Sequence, residues 1–257
     1  MSNLPRSFRI LIPAVLTSLL ATPMVRADIN GFGDFSEFKI NQSDSQAAPV
    51  ISLSPSSIHL TGTSNLGEER SIFDKTPQVT SQFTASFTYQ ETGSLVNNSG
   101  GFAFVLQNSS SGPSAIGNFL GYAGITSSDA VEFPFGNPLI AGVFNNGNTG
   151  PGTDSMSPIN FLAGDLINVT ISYDGTFLQE SATDTITRQS SAIGLHLATL
   201  PATAYVGLTA SSNFSSNDQL FSNFQFTTTA VPEPASIVLL GVGAIGLLGV
   251  ASRRKHS

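Results

Sequence analysis

The middle of the chain alternates between apolar and polar residues with a period of two. Residues 82–90 and 167–173 show it most clearly: Phe, Tyr, Ile, Val or Ala fills every second position, and Ser, Thr, Asn or Gln fills the positions between. Because successive side chains of a strand point to opposite faces, this pattern predicts strands with one buried face.

Further apolar segments of strand length are separated by clusters of turn-forming residues. Candidate strands cover residues 102–106, 205–210 and 221–226, and candidate turns lie at 97–101, 145–148, 150–152 and 174–175. No segment between residues 28 and 230 keeps a 3.6-residue apolar stripe with helix caps. Many strands joined by such turns predict one all-β domain, an antiparallel sandwich or barrel.

Composition narrows the candidate chemistry. The 257 residues include no cysteine and no tryptophan but 19 phenylalanines, and only 11% are charged. The absence of cysteine excludes disulfides, thiolate zinc sites and thiol catalysis. Because few residues are charged, Ser, Thr, Asn and Gln must supply most of the polar surface, which argues against a long exposed helix.

The first 27 residues have the layout of a secretory signal peptide. A basic segment with two arginines precedes an apolar segment at 10–21, and small residues around Ala27 suit cleavage before Asp28. A transmembrane helix is the alternative, but twelve residues interrupted by Pro13 fall short of the about 20 that a span requires. We therefore expect an exported chain that begins at Asp28.

The other terminus combines a short motif, an uncharged segment and a basic tail. The motif is Val231, Pro232, Glu233 and Pro234, the uncharged segment is 235–251, and the tail is Arg253, Arg254 and Lys255. Seventeen helical residues rise about 25 Å, against a hydrocarbon core of about 30 Å, with the basic tail on the cytoplasmic side. This predicts a single short or transient hydrophobic helix in the inner membrane, with a plain tail anchor as the alternative.

This terminus resembles the PEP-CTERM sorting signal of Gram-negative bacteria, because all three parts occur in the same order. The resemblance implies recognition by a membrane-embedded exosortase, which removes the anchor and releases or transfers the protein outside the cell. Such signals are common in species that make extracellular polysaccharide. The resemblance covers residues 231–257. It indicates where the protein is delivered and says nothing about its activity.

Without its two termini, the domain predicted at 28–230 is strongly acidic. It holds four basic and sixteen acidic residues, a net charge of −12, compared with −7 for the whole chain. Binding to nucleic-acid phosphates needs clustered Lys and Arg, so the sequence argues against that class of partner.

Eight segments of this domain resemble, in the same order, the strands of legume-type (L-type) lectins. They are residues 58–61, 70–77, 83–89, 101–107, 120–125, 130–133, 169–175 and 205–210. The resemblance covers most of residues 30–226. It implies a concanavalin A-like jelly-roll sandwich of two antiparallel sheets, a curved front one and a flatter back one.

The sequence departs from these lectins at the sugar and metal positions. Gly100 stands where the lectins carry the Asp that accepts sugar hydroxyls. In the loop that binds calcium and a transition metal, Glu132 matches the family Glu and Asn137 lies near its Asn. Pro134 and Ile140 replace an Asp and the His. One carboxylate cannot assemble a calcium shell of six to eight oxygens, so we expect no bound metal.

Two alternatives stay open at this position. A single calcium ion is the alternative cofactor, and its ligands would be Asp129, Asp154, Asp165 and Asn145. Glu132 is either a strand-end residue that faces solvent or caps a loop, or a remnant of the family site.

Loop residues are the remaining candidates for sugar contact. Exposed aromatic rings suit the apolar face of a pyranose, and Phe144 lies beside Asn145 and Asn146 in a turn cluster. The alternative for Phe144 is core packing, because most of the phenylalanines must be buried. The predicted carbohydrate-binding residues are Gly101, Glu132, Asn137, Phe144, Asn145 and Asn146.

The sequence lacks the patterns of the glycoside hydrolases that share this jelly roll. A retaining glycosidase needs two carboxyl groups about 5 to 5.5 Å apart, and no predicted strand carries Glu-x-Asp or Glu-x-x-x-Glu. No Gly-x-Ser-x-Gly, Walker or dinucleotide motif occurs. His59 and His196 lie within apolar alternation, as structural histidines do. We therefore predict no catalytic residue.

Together these features predict an exported, lectin-like protein of the bacterial surface or extracellular polysaccharide matrix. We expect carbohydrate as its ligand, an exosortase as its partner during sorting, and transient anchorage in the inner membrane. The alternative is a structural matrix or surface protein with this fold and no sugar binding. A glycoside hydrolase ranks third.

Overall fold

The structure is a computed structural model, and it describes residues 28–43, 48–63, 67–93, 99–135, 140–150, 152–196, 200–213 and 216–228. The predicted signal peptide at 1–27 and the predicted sorting signal at 231–257 lie outside the described residues. Within the described ranges, no helix has the length and apolar character needed to cross a membrane.

The fold is all-β, as the alternating pattern predicts. The described residues form sixteen strands, which are, in chain order, β1 (Asp28–Asn30), β2 (Phe38–Gln42), β3 (Val50–Leu53), β4 (Ser56–His59), β5 (Glu69–Asp74), β6 (Gln78–Val79), β7 (Phe83–Glu91), β8 (Gly101–Gln107), β9 (Ser128–Pro134), β10 (Ile140–Asn145), β11 (Asp154–Ser155), β12 (Ile167–Tyr173), β13 (Phe177–Asp184), β14 (Ser190–His196), β15 (Thr203–Ser211) and β16 (Gln219–Thr228). The five strands that the sequence predicts are confirmed as β7, β8, β12, β15 and β16.

The strands pair into two eight-stranded antiparallel sheets. In the first sheet the order is β14-β13-β12-β7-β16-β4-β3, and β1 also pairs with β16. In the second sheet the order is β11-β10-β9-β8-β15-β5-β2, and β6 also pairs with β15. Neighbours such as β7 and β16 are far apart in sequence, because the chain crosses repeatedly between the sheets. Two stacked sheets connected in this way form a jelly roll.

Aromatic side chains fill the space between the sheets. Phe83, Phe87 and Tyr89 of β7 point inward because they occupy alternate positions of one strand. From the second sheet, Phe102 of β8 and Phe133 of β9 meet them, with ring centroids of Phe102 and Phe133 only 4.4 Å apart. Burial of these rings supplies a large share of the hydrophobic stabilisation, which a cysteine-free chain cannot supplement with disulfides.

A smaller apolar cluster covers the outer face of the second sheet. The single helical turn α1 (Phe119–Tyr122) lies over this face and buries Leu120 and Tyr122. Gly121 at its centre has a φ of 68°, and a β-carbon there would overlap the carbonyl oxygen of Arg70. Only glycine fits this position. Together with the 3₁₀ turn Gly112–Ser114, α1 is the only helical structure among the described residues.

Candidate functional site

The predicted site residues fall on the outer face and rim of the second sheet. Gly101 begins β8, Glu132 lies near the end of β9, and Phe144 and Asn145 end β10. Because β9 pairs with β8 on one side and with β10 on the other, these residues lie in one region. Asn137 lies outside the described residues.

Gly100 stands where the resemblance to the lectins implies the sugar-binding Asp, and Gly101 follows it as the first residue of β8. Gly100 and Gly101 have φ values of 93° and 141°, in the region that favours glycine. A β-carbon on Gly100 would overlap the carbonyl oxygen of Ser211, and one on Gly101 would overlap that of Phe133. The amide of Phe135 donates a hydrogen bond to the Gly100 carbonyl oxygen at 2.9 Å. The surrounding backbone therefore leaves no room for a side chain here.

Glu132 is fully buried, which rules out the alternative that it faces solvent. It lies on the outer face of the second sheet, opposite Gly142 of β10 and Ala103 of β8. Within the described residues, neither carboxylate oxygen accepts a hydrogen bond. Burial raises the pKa of Glu132 from 4.5 to about 8, and the nearby backbone amide of Gly150 opposes this rise. The protonated, neutral form of the side chain therefore predominates at pH 7.

The Phe144 ring lies on the same outer face as Glu132. It is half-buried and packs against the cluster around Tyr122, whose hydroxyl donates to the Phe144 carbonyl oxygen at 3.3 Å. The ring also covers Gly142 and Gly150, because a β-carbon on either glycine would collide with it. Only part of the ring is open to a ligand, and sugar contact by Phe144 stays a prediction.

Asn145 is the exposed last residue of β10, and Asn146 begins the exposed turn that follows it. Asn146 has a φ of 55°, and its Oδ1 accepts a hydrogen bond from the Ser127 amide at 3.0 Å. The Asn145 carbonyl oxygen accepts from the amide and the side chain of Asn148, at 3.0 and 2.8 Å. The Asn146 side chain thus stabilises the turn, whereas the exposed side chain of Asn145 makes no hydrogen bond with the part of the chain that the structure describes.

The described residues do not fit the metal pair of these lectins. Of the family ligands, Glu132 is present but neutral, and Pro134 stands at the first Asp position. Throughout the described part of the chain, no group of three or more Asp, Glu or His side chains is arranged to hold a metal ion. That no metal binds stays a prediction.

The oxygen ligands suggested for a single calcium ion do not converge. Asp129 and Asn145 face each other across the β9–β10 pair, whereas Asp154 of β11 pairs with the other end of β10. Asp165 lies near Asp184 of the first sheet, with which it interacts. The structure thus distributes the proposed ligands over separate regions.

Glu180, like Glu132, is a buried carboxyl group without a hydrogen-bond partner among the described residues, and sequence reasoning missed it. Glu180 of β13 lies between the sheets, on the strand face that buries Leu178 and Ala182. Its oxygens accept no hydrogen bond from the described residues. Burial raises the pKa of Glu180 from 4.5 to about 8, and the charge of Asp154 adds to this rise. Strand alternation could have identified it, because it is the acidic residue at an apolar position.

A histidine–carboxylate pair joins three segments of the first sheet. Nδ1 of His59 lies 2.6 Å from Oδ1 of Asp218. Oδ2 of Asp218 accepts from the Thr92 hydroxyl at 2.6 Å, and the Asp218 amide donates to Glu91 Oε1 at 2.9 Å. The hydrogen bond to Asp218 raises the pKa of His59, and partial burial opposes this rise. The contacts give His59 a structural role at the ends of β4 and β7.

Solved structures with a similar fold include legume lectins and a lectin-like protein. A Bauhinia forficata lectin in complex with GalNAc has a TM-score of 0.62 and 15% identity, covering 80% of this chain and 99% of that one. Lectin II from Ulex europaeus has a TM-score of 0.58 and 17% identity, covering 76% and 94%. Arcelin-5, a lectin-like defense protein from Phaseolus vulgaris, has a TM-score of 0.55 and 17% identity, covering 79% and 98%. The sandwich is therefore a legume-lectin-like, concanavalin A-like jelly roll, as the eight sequence segments predict.

The C-terminal residues match a family of sorting signals. Residues 230–255 match the model of the PEP-CTERM protein-sorting motif, which confirms the resemblance seen in the sequence. The chain is thus an exported protein with a C-terminal sorting signal. A search of curated protein sequences finds no match to the chain.

Proposed function

We propose that this protein binds carbohydrate at the cell surface or in the extracellular polysaccharide matrix, without catalysis, after sorting by an exosortase. The supporting observation is a lectin-like jelly roll followed by a PEP-CTERM motif at 230–255. Two of the structural neighbours are described in complex with galactose or GalNAc, which supports carbohydrate as the ligand class.

We call the end of β10 at Phe144 and Asn145, with the following Asn146, the rim. Sugar binding at the rim would differ from that in the legume lectins. At Gly100, where the resemblance implies the lectins' Asp, the surrounding backbone leaves no room for a side chain. Glu132 is buried and predominantly neutral. Contact would therefore depend on the exposed Asn145 and the open edge of Phe144, with no metal pair. Asn146, in the turn after β10, is a further contact in this proposal, and Asn137, which lies outside the described residues, stays a prediction from the sequence.

The arrangement of the buried carboxyl groups of Glu132 and Glu180 supports a function without catalysis. Glu132 projects from the outer face of the second sheet, whereas Glu180 projects from the first sheet into the core. Because they lie in different layers, they cannot flank one glycosidic bond as the carboxyl pair of a glycosidase does.

The alternative is a structural surface protein that keeps the jelly roll and binds no sugar. The closed backbone at Gly100 and Gly101 favours it, because no side chain can stand at the lectins' main sugar acceptor. The neighbour arcelin-5 is described as lectin-like, which is compatible with this alternative.

A glycan array probed with the full-length chain in mild detergent, with and without EDTA, separates these functions. Binding that resists EDTA supports the proposal, and binding lost in EDTA contradicts its metal independence. No binding to any glycan favours the structural alternative. Release of reducing sugar from a polysaccharide, abolished in Glu132→Gln, would instead indicate an enzyme.

A further inference from the structure

The outer face of the first sheet carries a regular array of uncharged polar side chains. The adjacent strands β13, β12, β7 and β16 align their outward residues in three rows of four. The rows are Gln179-Ser172-Thr84-Thr227, Ser181-Thr170-Ser86-Gln225 and Thr183-Asn168-Thr88-Ser222. We call these twelve residues the polar grid. Each is Ser, Thr, Asn or Gln, so the grid carries no charge, although the domain is strongly acidic.

Strand alternation alone does not explain this composition. The inward face of these strands needs apolar residues, but Lys, Glu or Asp would serve as well as Ser or Thr on the outward face. Thr84, Ser86, Ser172 and Gln179 make no side-chain hydrogen bond within the described part of the chain. Their hydroxyl and amide groups are therefore available to a ligand.

An exposed aromatic ring borders one corner of the grid. Phe177 is 44% exposed and lies across Gly194 of β14, where a β-carbon would overlap the ring. Gly194 pairs with Gln179 of the grid. One side of the ring thus rests on the backbone while another side is open to solvent beside the grid. This is the arrangement that a stacking contact to a sugar ring requires.

A groove of about 320 Å³ connects this ring to the first row of the grid. Its lining includes Gln82, Thr84, Ser172, Phe177 and Gln179. Asp174 also lines the groove, and its Oδ1 accepts hydrogen bonds from the amides of Thr176 and Phe177 at 2.8 and 2.7 Å. It is the one charged residue of this lining, and the other lining residues are neutral.

A second groove, of about 400 Å³, lies at the opposite end of the grid. Thr88, Asn168 and Ser222 of the third row line it together with Leu166 and Leu220. The first and third rows are four residues apart along β13, β12 and β7, about 13 Å, and five residues apart along β16, which has a bulge between Ser222 and Gln225. A ligand that reaches both grooves is therefore a chain rather than a single sugar ring.

We infer that the polar grid binds a neutral polysaccharide chain, with Phe177 stacked against one of its rings. This inference rests on the proposed carbohydrate binding and assigns it to a surface distinct from the rim. Neutral hydroxyls and amides exchange water for sugar hydroxyls without the cost of desolvating an ion. The net charge of −12 between residues 28 and 230 disfavours an acidic polysaccharide.

Affinity electrophoresis of the full-length chain tests the inference. Native gels with mild detergent would contain galactomannan or hydroxyethyl cellulose as neutral probes, or alginate as an acidic one. Phe177→Ala removes the stacking ring, and Thr170→Lys puts a charge at the centre of the grid. Ile186→Ala is the matched control, because Ile186 is 67% exposed in the turn after β13 and outside the grid. Thermal melting verifies that each variant is folded.

We expect a neutral probe to retard the wild type and alginate not to. Phe177→Ala should weaken binding by about tenfold, Thr170→Lys should abolish it, and Ile186→Ala should leave it unchanged. Should Thr170→Lys fail to fold, Phe177→Ala decides the result.

Four results would overturn the inference. If Phe177→Ala and Thr170→Lys bind like the wild type while Asn145→Ala does not, the rim binds sugar and the proposed function stands. If no neutral probe retards the wild type, the grid is not a binding site, and the glycan array decides the function separately. If Ile186→Ala weakened probe binding as much as Phe177→Ala and Thr170→Lys do, the retardation would be non-specific. A dimer that Thr170→Lys dissociates in sedimentation velocity would show that a second copy covers the grid.

Discussion

Gly100 lies so close to the carbonyl oxygen of Ser211 that a β-carbon at residue 100 would overlap it. The contact joins the start of β8 to the end of β15, next to the register pair of Gly101 and Ser211. An Asp at residue 100, the residue type that the resemblance to the lectins implies there, would therefore require the surrounding backbone to shift.

Gly100→Asp is expected to lower the free energy of unfolding by about 2 kcal/mol or more, because overlap adds to an unfavourable φ. Urea denaturation of the full-length chain measures this loss. Gly33→Asp is the matched control: Gly33 also has a positive φ, 56°, but open space around its β-carbon position. It should cost about 1 kcal/mol. An equal cost at both positions would contradict the overlap at Gly100.

The buried carboxyl groups predict that the fold loses stability as pH rises. Glu132 and Glu180 each have a folded-state pKa of about 8, against an ordinary value of 4.5. Between these values the folded chain holds protons that the unfolded chain has released, so the free energy of unfolding falls with pH. Glu132→Gln should therefore be more stable than the wild type by about 1 kcal/mol or more at pH 8.5, and little changed at pH 4.5. Urea denaturation at both pH values would contradict this if the variant gained nothing at pH 8.5.

The contact between His59 and Asp218 predicts a pH dependence of the same sign. Asp218 raises the pKa of His59, so the contact stabilises the fold fully below about 6.5 and loses this contribution as pH rises through the raised value. In Asp218→Asn the pKa of His59 should fall, and stability at pH 5.5 should drop by about 0.5–1 kcal/mol. NMR titration of the His59 ring measures the shift. An unchanged His59 titration would show that Asp218 is not its partner in solution.

The sorting motif predicts a processing step at the C-terminus. Replacing Pro232, Glu233 and Pro234 with alanine should leave the hydrophobic segment on the mature chain, because the exosortase would no longer recognise it. Intact-mass measurement of the protein in membrane and medium fractions of a PEP-CTERM-processing host detects this. Alanine replacement of Thr228, before the motif, is the control and should be processed normally. Processing of both variants alike would contradict recognition through the motif.

Strand positions could be predicted from the sequence because burial between two sheets imposes the period-two pattern directly. This pattern predicts the inward positions of Phe83, Phe87 and Tyr89 of β7. Two of the predicted site residues, Glu132 and Phe144, lie on neighbouring strands, and their contact with sugar stays a prediction.

The environment of each site residue could not be predicted in the same way. Glu132 is buried because strand β10 and the backbone near Gly150 lie against it, and that contact depends on how a distant loop folds. Phe177 looks like an ordinary strand residue until the β13–β14 register brings Gly194 beneath its ring. The alternating pattern of a strand identifies which residues share a sheet face, but it does not identify the residues of other segments that cover that face.

Isothermal titration calorimetry tests the central claim most directly. The best ligand from the glycan array would be titrated into the full-length chain after dialysis against EDTA, and again after addition of calcium and manganese. Carbohydrate binding that needs no metal pair predicts the same Kd in both titrations. A Kd that is more than about tenfold weaker after EDTA, and recovers with the metals, would contradict the account.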